Sequence, residues 1–258
     1  MGYFYCDESI HDRGNFILWA FVYCKNDLTP QVYNHIGSVG LTPKQDEFKS
    51  SYIMDKGGKY PELRENLRSM FMKVNIGLVI VPIDERKCFG DHALKGLKKI
   101  IINNKMNNER HDVYFDQGIM FQNRTLIDSF GKENKLNIYT NQDSKIVAGL
   151  QMADLTAHTL SIMFLETLGL IKKQVTLGKH SGYSEDELFE LSFDLWGSLR
   201  YSLFSQAVIT IEDIDRDPVN AFLIDTGTYC LYVKDTCSAK LKEAAENRFG
   251  RNYVGCIH

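Results

Sequence analysis

The chain has 258 residues, 44% of them hydrophobic and 24% charged. That balance excludes a disordered, collagen-like or coiled-coil chain, and the length suits one large domain or one domain with an appendage. Thirty basic against 33 acidic residues leave a net charge of −3, which argues against a basic nucleic-acid coat but leaves room for a local basic channel.

In chain order, Gly2–Cys6 reads as a short strand ending at Asp7-Glu8-Ser9, and Phe16–Tyr23 (FILWAFVY) as the second strand of a hairpin. Leu28–Ile36 reads as a short helix with Pro30 in its first turn. Leu63, Leu67, Met70, Phe71 and Val74 have helical spacing. Asn75–Val81 is a buried-type strand stopped by Pro82, and residues 86–104 form an amphipathic helix with Lys95, Lys98 and Lys99 on one face. Asp112–Asp116 reads as a strand, Gly118–Gly131 as a helix, Leu136–Thr140 as a strand and residues 144–165 as a long apolar helix.

After about residue 170 the character changes. A polar loop precedes a helix pattern over Glu185–Phe204, then an irregular acidic stretch at 205–220. FLIDTGTYCLYV follows as one strand or two, and the helix Ser238–Phe249 has Ser238 as its N-cap. A hairpin followed by alternating strands and helices predicts a mixed α/β fold: a five-stranded sheet with helices on both faces. The expected division is a main domain at 1–171 with a helical insertion at about 28–73, and a mainly helical C-terminal extension at 172–258.

The six cysteines form no CxxC and no pair with zinc-knuckle spacing. They read as core or free thiols of a reducing compartment. The N-terminus MGYFYCDESI has no basic segment followed by an apolar one, so the expected location is cytoplasmic. Residues 146–165 are apolar enough to raise the question of a membrane span, which needs about 20 such residues. Asp154 near its middle would cost roughly 2.5–3.5 kcal/mol there, so this stretch reads as a buried helix and no membrane association is expected.

Asp154 is the one charged residue between Ile146 and Leu165, and a carboxylate in an apolar helix is costly unless paired, hydrogen-bonded or bound to a cation. Gln151, Asp154 and His158 share a helix face. Asp7 and Asp116 each end a strand. Carboxylates gathered in one place raise each other's pKa unless a divalent cation neutralises them. Oxygen ligands without Cys or His favour Mg²⁺ or Mn²⁺.

Asp7-Glu8-Ser9, Glu47-Phe48-Lys49, Asp116 and Gly149-Leu150-Gln151-Met152-Ala153-Asp154 together resemble the prokaryotic domain of unknown function 3800 family, over about residues 3–165. The resemblance implies a ribonuclease H-like fold and metal-dependent cleavage of nucleic acid, often linked to mobile elements and antiviral defence. It makes Asp7, Glu47, Asp116 and Asp154 the metal-binding set, with Lys49 a phosphate contact or a neutraliser of developing charge. Ile10 stands where the family usually has glycine, which is expected to alter the turn. Glu8 is expected to face away from the site, since neighbouring strand residues point to opposite faces. Two rival readings accompany the nuclease: a non-catalytic binding or assembly module that docks a protein partner through residues 172–258, and a strand-transfer enzyme.

Overall fold

The computed structural model describes residues 1–52, 58–121, 124–177, 181–207 and 222–255. Its centre is a six-stranded sheet. β1 (Gly2–His11), β2 (Phe16–Cys24) and β3 (Asn75–Pro82) form an antiparallel meander, with Asp7 opposite Ala20 and Ala20 opposite Leu78. β4 (His111–Asp116) runs parallel to β1, and β5 (Leu136–Gln142) parallel to β4. These five strands, in the order β3-β2-β1-β4-β5, form the mixed sheet expected of a ribonuclease H-like fold.

The sheet carries one strand more than expected. A short strand, Leu231–Val233, pairs parallel with β3 and extends that edge. The C-terminal region therefore contributes to the central sheet as well as packing beside it.

Helices cover both faces. α1 (Thr29–Ser38) and α2 (Lys59–Ser69) lie in the insertion after β2. α3 (Phe89–Asn103) follows a 3-10 turn at Ile83–Cys88, and α4 (Arg124–Asn134) and α5 (Gly149–Thr167) complete the main unit. The pleat sorts β2 between the two faces. Phe16 meets Phe164 of α5 with ring centroids 4.8 Å apart, while Trp19 meets Phe89 of α3 at 5.2 Å. Because both faces are covered, Phe16–Tyr23 is buried throughout, which explains its continuous apolar run.

The helix expected over Gly118–Gly131 is seen over Arg124–Asn134; Gly118 has φ +86° and belongs to a turn. The pattern over Glu185–Phe204 divides into a strand and a helix. β6 (Gln174–Thr176) pairs with β7 (Leu188–Glu190), placing Phe189 opposite Val175, and α6 spans Leu191–Leu199. Phe189 stacks on Phe193 at 5.2 Å, and this aromatic spacing mimicked helical periodicity across the junction. β8 (Gln206–Ala207), β9 (Leu223–Asp225) and β11 (Arg251–Tyr253) form a small sheet, with β10 being Leu231–Val233. FLIDTGTYCLYV thus holds two strands. The acidic stretch at 205–220 lies largely outside the described residues. α7 (Ala239–Phe249) has its expected cap, the Ser238 side chain accepting from Leu241 N. Among the described residues no helix is long and apolar enough to cross a membrane.

Candidate carboxylate site at the ends of β1 and β4

The parallel pairing of β1 with β4 runs from Gly2–His111 to Cys6–Phe115. The next residues along are Asp7 and Asp116. Paired positions in a sheet share a face, and here it is the face of α5, on which Tyr5 also packs. Both carboxylates are buried, 9% and 8% exposed. A register shift between β4 and β5 at Tyr114/Asp116 falls where a strand end re-aims a side chain.

α5 supplies the second half of the site. It approaches β1 so closely that a Cβ at Gly149 would collide with the Tyr5 ring. That ring cannot retreat, because Tyr5 Oη donates to Asp27 (2.6 Å) and accepts from Leu28 N (3.0 Å). Gly149 therefore sets the depth at which the rest of GLQMAD enters the core.

Two side chains of this helix then hold the segment Glu47–Ser50. Gln151, fully buried, accepts from Phe48 N at 2.8 Å and donates to Ser144 O at 2.9 Å. Asp154 accepts from Ser50 N at 2.7 Å and Ser50 Oγ at 2.5 Å. So held, Lys49 places its ammonium 3.1 Å from Asp116 and 3.8 Å from Glu47. Ser144 Oγ donates to the other side of the pair, Glu47 Oε2, at 2.5 Å. Asp7, Glu47, Lys49, Asp116 and Asp154 are thus gathered at one end of the sheet. The residues missed from sequence are Ser50 and Ser144, whose only signal was adjacency to Lys49 and to the start of the long helix.

The electrostatics follow from burial. Burial, then the charges of Glu8, Asp154 and Asp116, push the Asp7 carboxyl well above its ordinary range. Burial raises Asp154 too, offset in part by both Ser50 hydrogen bonds and by Lys49. Burial works against the Lys49 ammonium, but Asp116, and beyond it Glu47 and Asp154, outweigh it and keep its pKa raised. Four carboxylates face one ammonium, an excess of negative charge that suits a divalent cation. The donors are all hard oxygens, which fits Mg²⁺ or Mn²⁺. Among the described residues no three of these carboxylates have oxygens within 4.8 Å of one another, so a shared ion would require Lys49 and its partners to shift.

Glu8 sits opposite Trp19 and on the α3 face, as expected, yet it stays close enough to Asp7 and Asp116 to interact with both. Burial pushes its carboxyl up to about 7, and its Oε2 has no hydrogen-bond partner. With Ile10 in place of glycine, β1 continues past Asp-Glu-Ser to His11, pairing Ile10 with Ile17.

One turn beyond Asp154, His158 lines a cleft of about 590 Å³ with Arg64, Arg68, Lys173 and Asp194. Burial lowers the His158 pKa, against the pull of Asp154. On the basic helix face read from sequence, Lys98 and Lys99 lie over the Phe130 and Tyr232 rings. Arg248 turns inward and donates to Ser192 O at 2.9 Å, so it anchors α7 to α6.

The strand order and register give a ribonuclease H-like fold, with a buried cluster of carboxylates at the ends of two interior strands. No family model and no curated protein matches the chain. Among solved structures it is similar to a chain of the PCNA:RNase HII complex from Archaeoglobus fulgidus, with 18% identity over 71% of this chain and 81% of that one and a TM-score of 0.40. The fold assignment rests on strand order and register.

Proposed function

We propose that the protein is a divalent-metal-dependent nuclease acting at Asp7, Glu47, Asp116 and Asp154. The observation that carries this reading is the clasp of Gln151 and Asp154 on Phe48 and Ser50. It brings a lysine and a fourth carboxylate from a loop onto two strand-end aspartates. Mg²⁺ or Mn²⁺, when bound, would supply Lewis acidity toward the scissile phosphate and activate water for attack. The four carboxylates would hold the cations. Lys49, beside Asp116, would offset charge developing on the phosphate oxygens. The cleft beyond Asp154 carries Arg64, Arg68 and Lys173, cations suited to a nucleic-acid backbone on a chain that is acidic overall. Kinship with the domain of unknown function 3800 family, a cytoplasmic location and a role in antiviral defence or a mobile element belong to the same proposal.

The test is cleavage of labelled single- and double-stranded DNA, RNA and hybrid by purified protein with Mg²⁺ or Mn²⁺. Asp7→Asn and Asp154→Asn are the controls, and calorimetry of both ions on each protein runs in parallel. Turnover and ion binding lost together in the variants is the expected result. Unchanged cleavage by Asp7→Asn would overturn the reading, and stoichiometric nucleic-acid binding without turnover would replace it with a binding module.

A further inference from the structure

We infer that Glu85, Cys88 and His92 form a separate metal site for a borderline cation of the Zn²⁺ type, on the sheet face opposite the carboxylates. The inference does not rest on the nuclease reading. The spacing Glu-x-x-Cys-x-x-x-His spans the junction where the 3-10 turn Ile83–Cys88 runs into α3, and that junction puts all three side chains on one side. Their ligand atoms lie within 4.8 Å of one another. Cys88 Sγ and His92 Nε2 are 3.4 Å apart. Bond lengths of ~2.3 Å to sulfur and ~2.0–2.1 Å to nitrogen in a tetrahedral site place two such ligands about 3.6 Å apart, so this pair is already set for one ion.

Glu85 completes the set. One of its oxygens meets His92 Nε2 and the other accepts from Thr236 Oγ1, in the loop after β10. A ligating carboxylate is usually oriented by such a second partner. A thiolate and a carboxylate balance a doubly charged ion, and one sulfur, one nitrogen and one oxygen donor select Zn²⁺ over Mg²⁺. The His92 side chain is 9% exposed and Glu85 19%, so the site is walled by protein yet reachable from solvent. Three protein ligands leave the fourth position open to water. His92 Nδ1 is buried with no hydrogen-bond partner. A ligating histidine normally donates that nitrogen to a neighbour, and its absence weakens binding about 10–100-fold, so moderate affinity is expected. Bound there, the ion would tie the start of α3 to the segment that adds β10 to the sheet.

The test is titration of Co²⁺ into the reduced full-length protein, then displacement by Zn²⁺. It is run on wild type, Cys88→Ser and His92→Gln, in an Asp7→Asn background, with circular dichroism to confirm folding. A thiolate-to-cobalt charge-transfer band that saturates near one equivalent, is absent in Cys88→Ser and needs at least ten-fold more Co²⁺ in His92→Gln is the expected result. A band that survives Cys88→Ser, or no band in folded wild type, would overturn the assignment. If His92→Gln fails to fold, the Cys88→Ser comparison alone decides.

Discussion

Ser50 gives both its backbone N–H and its hydroxyl to Asp154, 104 residues further along the chain, at 2.7 and 2.5 Å. One short side chain therefore fixes a loop against a helix and satisfies both oxygens of a buried carboxylate. Ser50→Ala keeps the backbone bond and removes the other. A hydrogen bond to a charged group contributes about 1.5–3 kcal/mol, and partial exposure of the pair brings the expected loss to about 1–2 kcal/mol. Urea denaturation of the two proteins measures it, and an unchanged midpoint would remove the hydroxyl from the account.

Gln151→Leu should cost more. It fills the same volume but strands Phe48 N and Ser144 O, both bonded to the amide now. At about 1–3 kcal/mol for each of these two unsatisfied buried groups, a loss of roughly 2–6 kcal/mol is expected. Release of the Glu47–Ser50 loop should appear as faster amide exchange at Phe48.

Lys49→Met separates two roles. Lys49 lies on Asp116 and near Glu47, so as a cation it competes with a metal for the same oxygens. Its removal should tighten Mn²⁺ binding by at least about three-fold, while cleavage falls by roughly 10²-fold through lost charge stabilisation. Calorimetry and rate measurement on one preparation check both signs. Weaker metal binding in Lys49→Met would contradict the competition.

The buried carboxylates give a signed dependence of stability on pH. Asp7, Asp154 and Glu8 all have raised folded pKa values, so the fold favours their protonated forms. That contribution is full below the unfolded pKa values and is lost as pH rises through the folded ones. For Glu8 the window runs from its ordinary 4.5 to about 7. Metal-free protein should therefore melt at lower temperature at about pH 8 than at about pH 5. Glu8→Gln should flatten part of that fall, by about 1–3 kcal/mol at the alkaline end. Added Mg²⁺ should raise the melting temperature more at the higher pH, where the carboxylates are ionised. A thermal scan in which metal-free protein gains stability with pH across this range would reverse the assigned signs.

Gly149→Ala tests the depth of α5. The added methyl meets a Tyr5 ring pinned by Asp27 and Leu28, so the helix must back away. Overpacking of this kind costs about 1–3 kcal/mol. Because Gln151 and Asp154 ride on the same helix, divalent-ion affinity should fall along with stability. Loss of stability with unchanged affinity would separate the two.

Much of the molecule was legible in its residues, because local chemistry is written locally. The unbroken apolar run Phe16–Tyr23 announces a strand covered on both faces, and Ser238 announces the start of α7. A single aspartate in the apolar stretch Ile146–Leu165 announces a partner for it, since an unpaired buried charge is too costly to keep. Pattern misled where two periods met, as at Phe189 and Phe193, which look helical in sequence but belong to a strand and the helix after it.

Only the tertiary structure decided who the partners are. That Asp154 is bound by Ser50, that Gln151 holds Phe48, that Leu231–Val233 joins the central sheet and that Glu85, Cys88 and His92 converge cannot be read from spacing. Each depends on strand register, on the depth set by Gly149 against Tyr5, or on the bend between a 3-10 turn and a helix. Side-chain periodicity fixes which face of an element is buried; which surfaces then meet is settled by the packing of all of them at once.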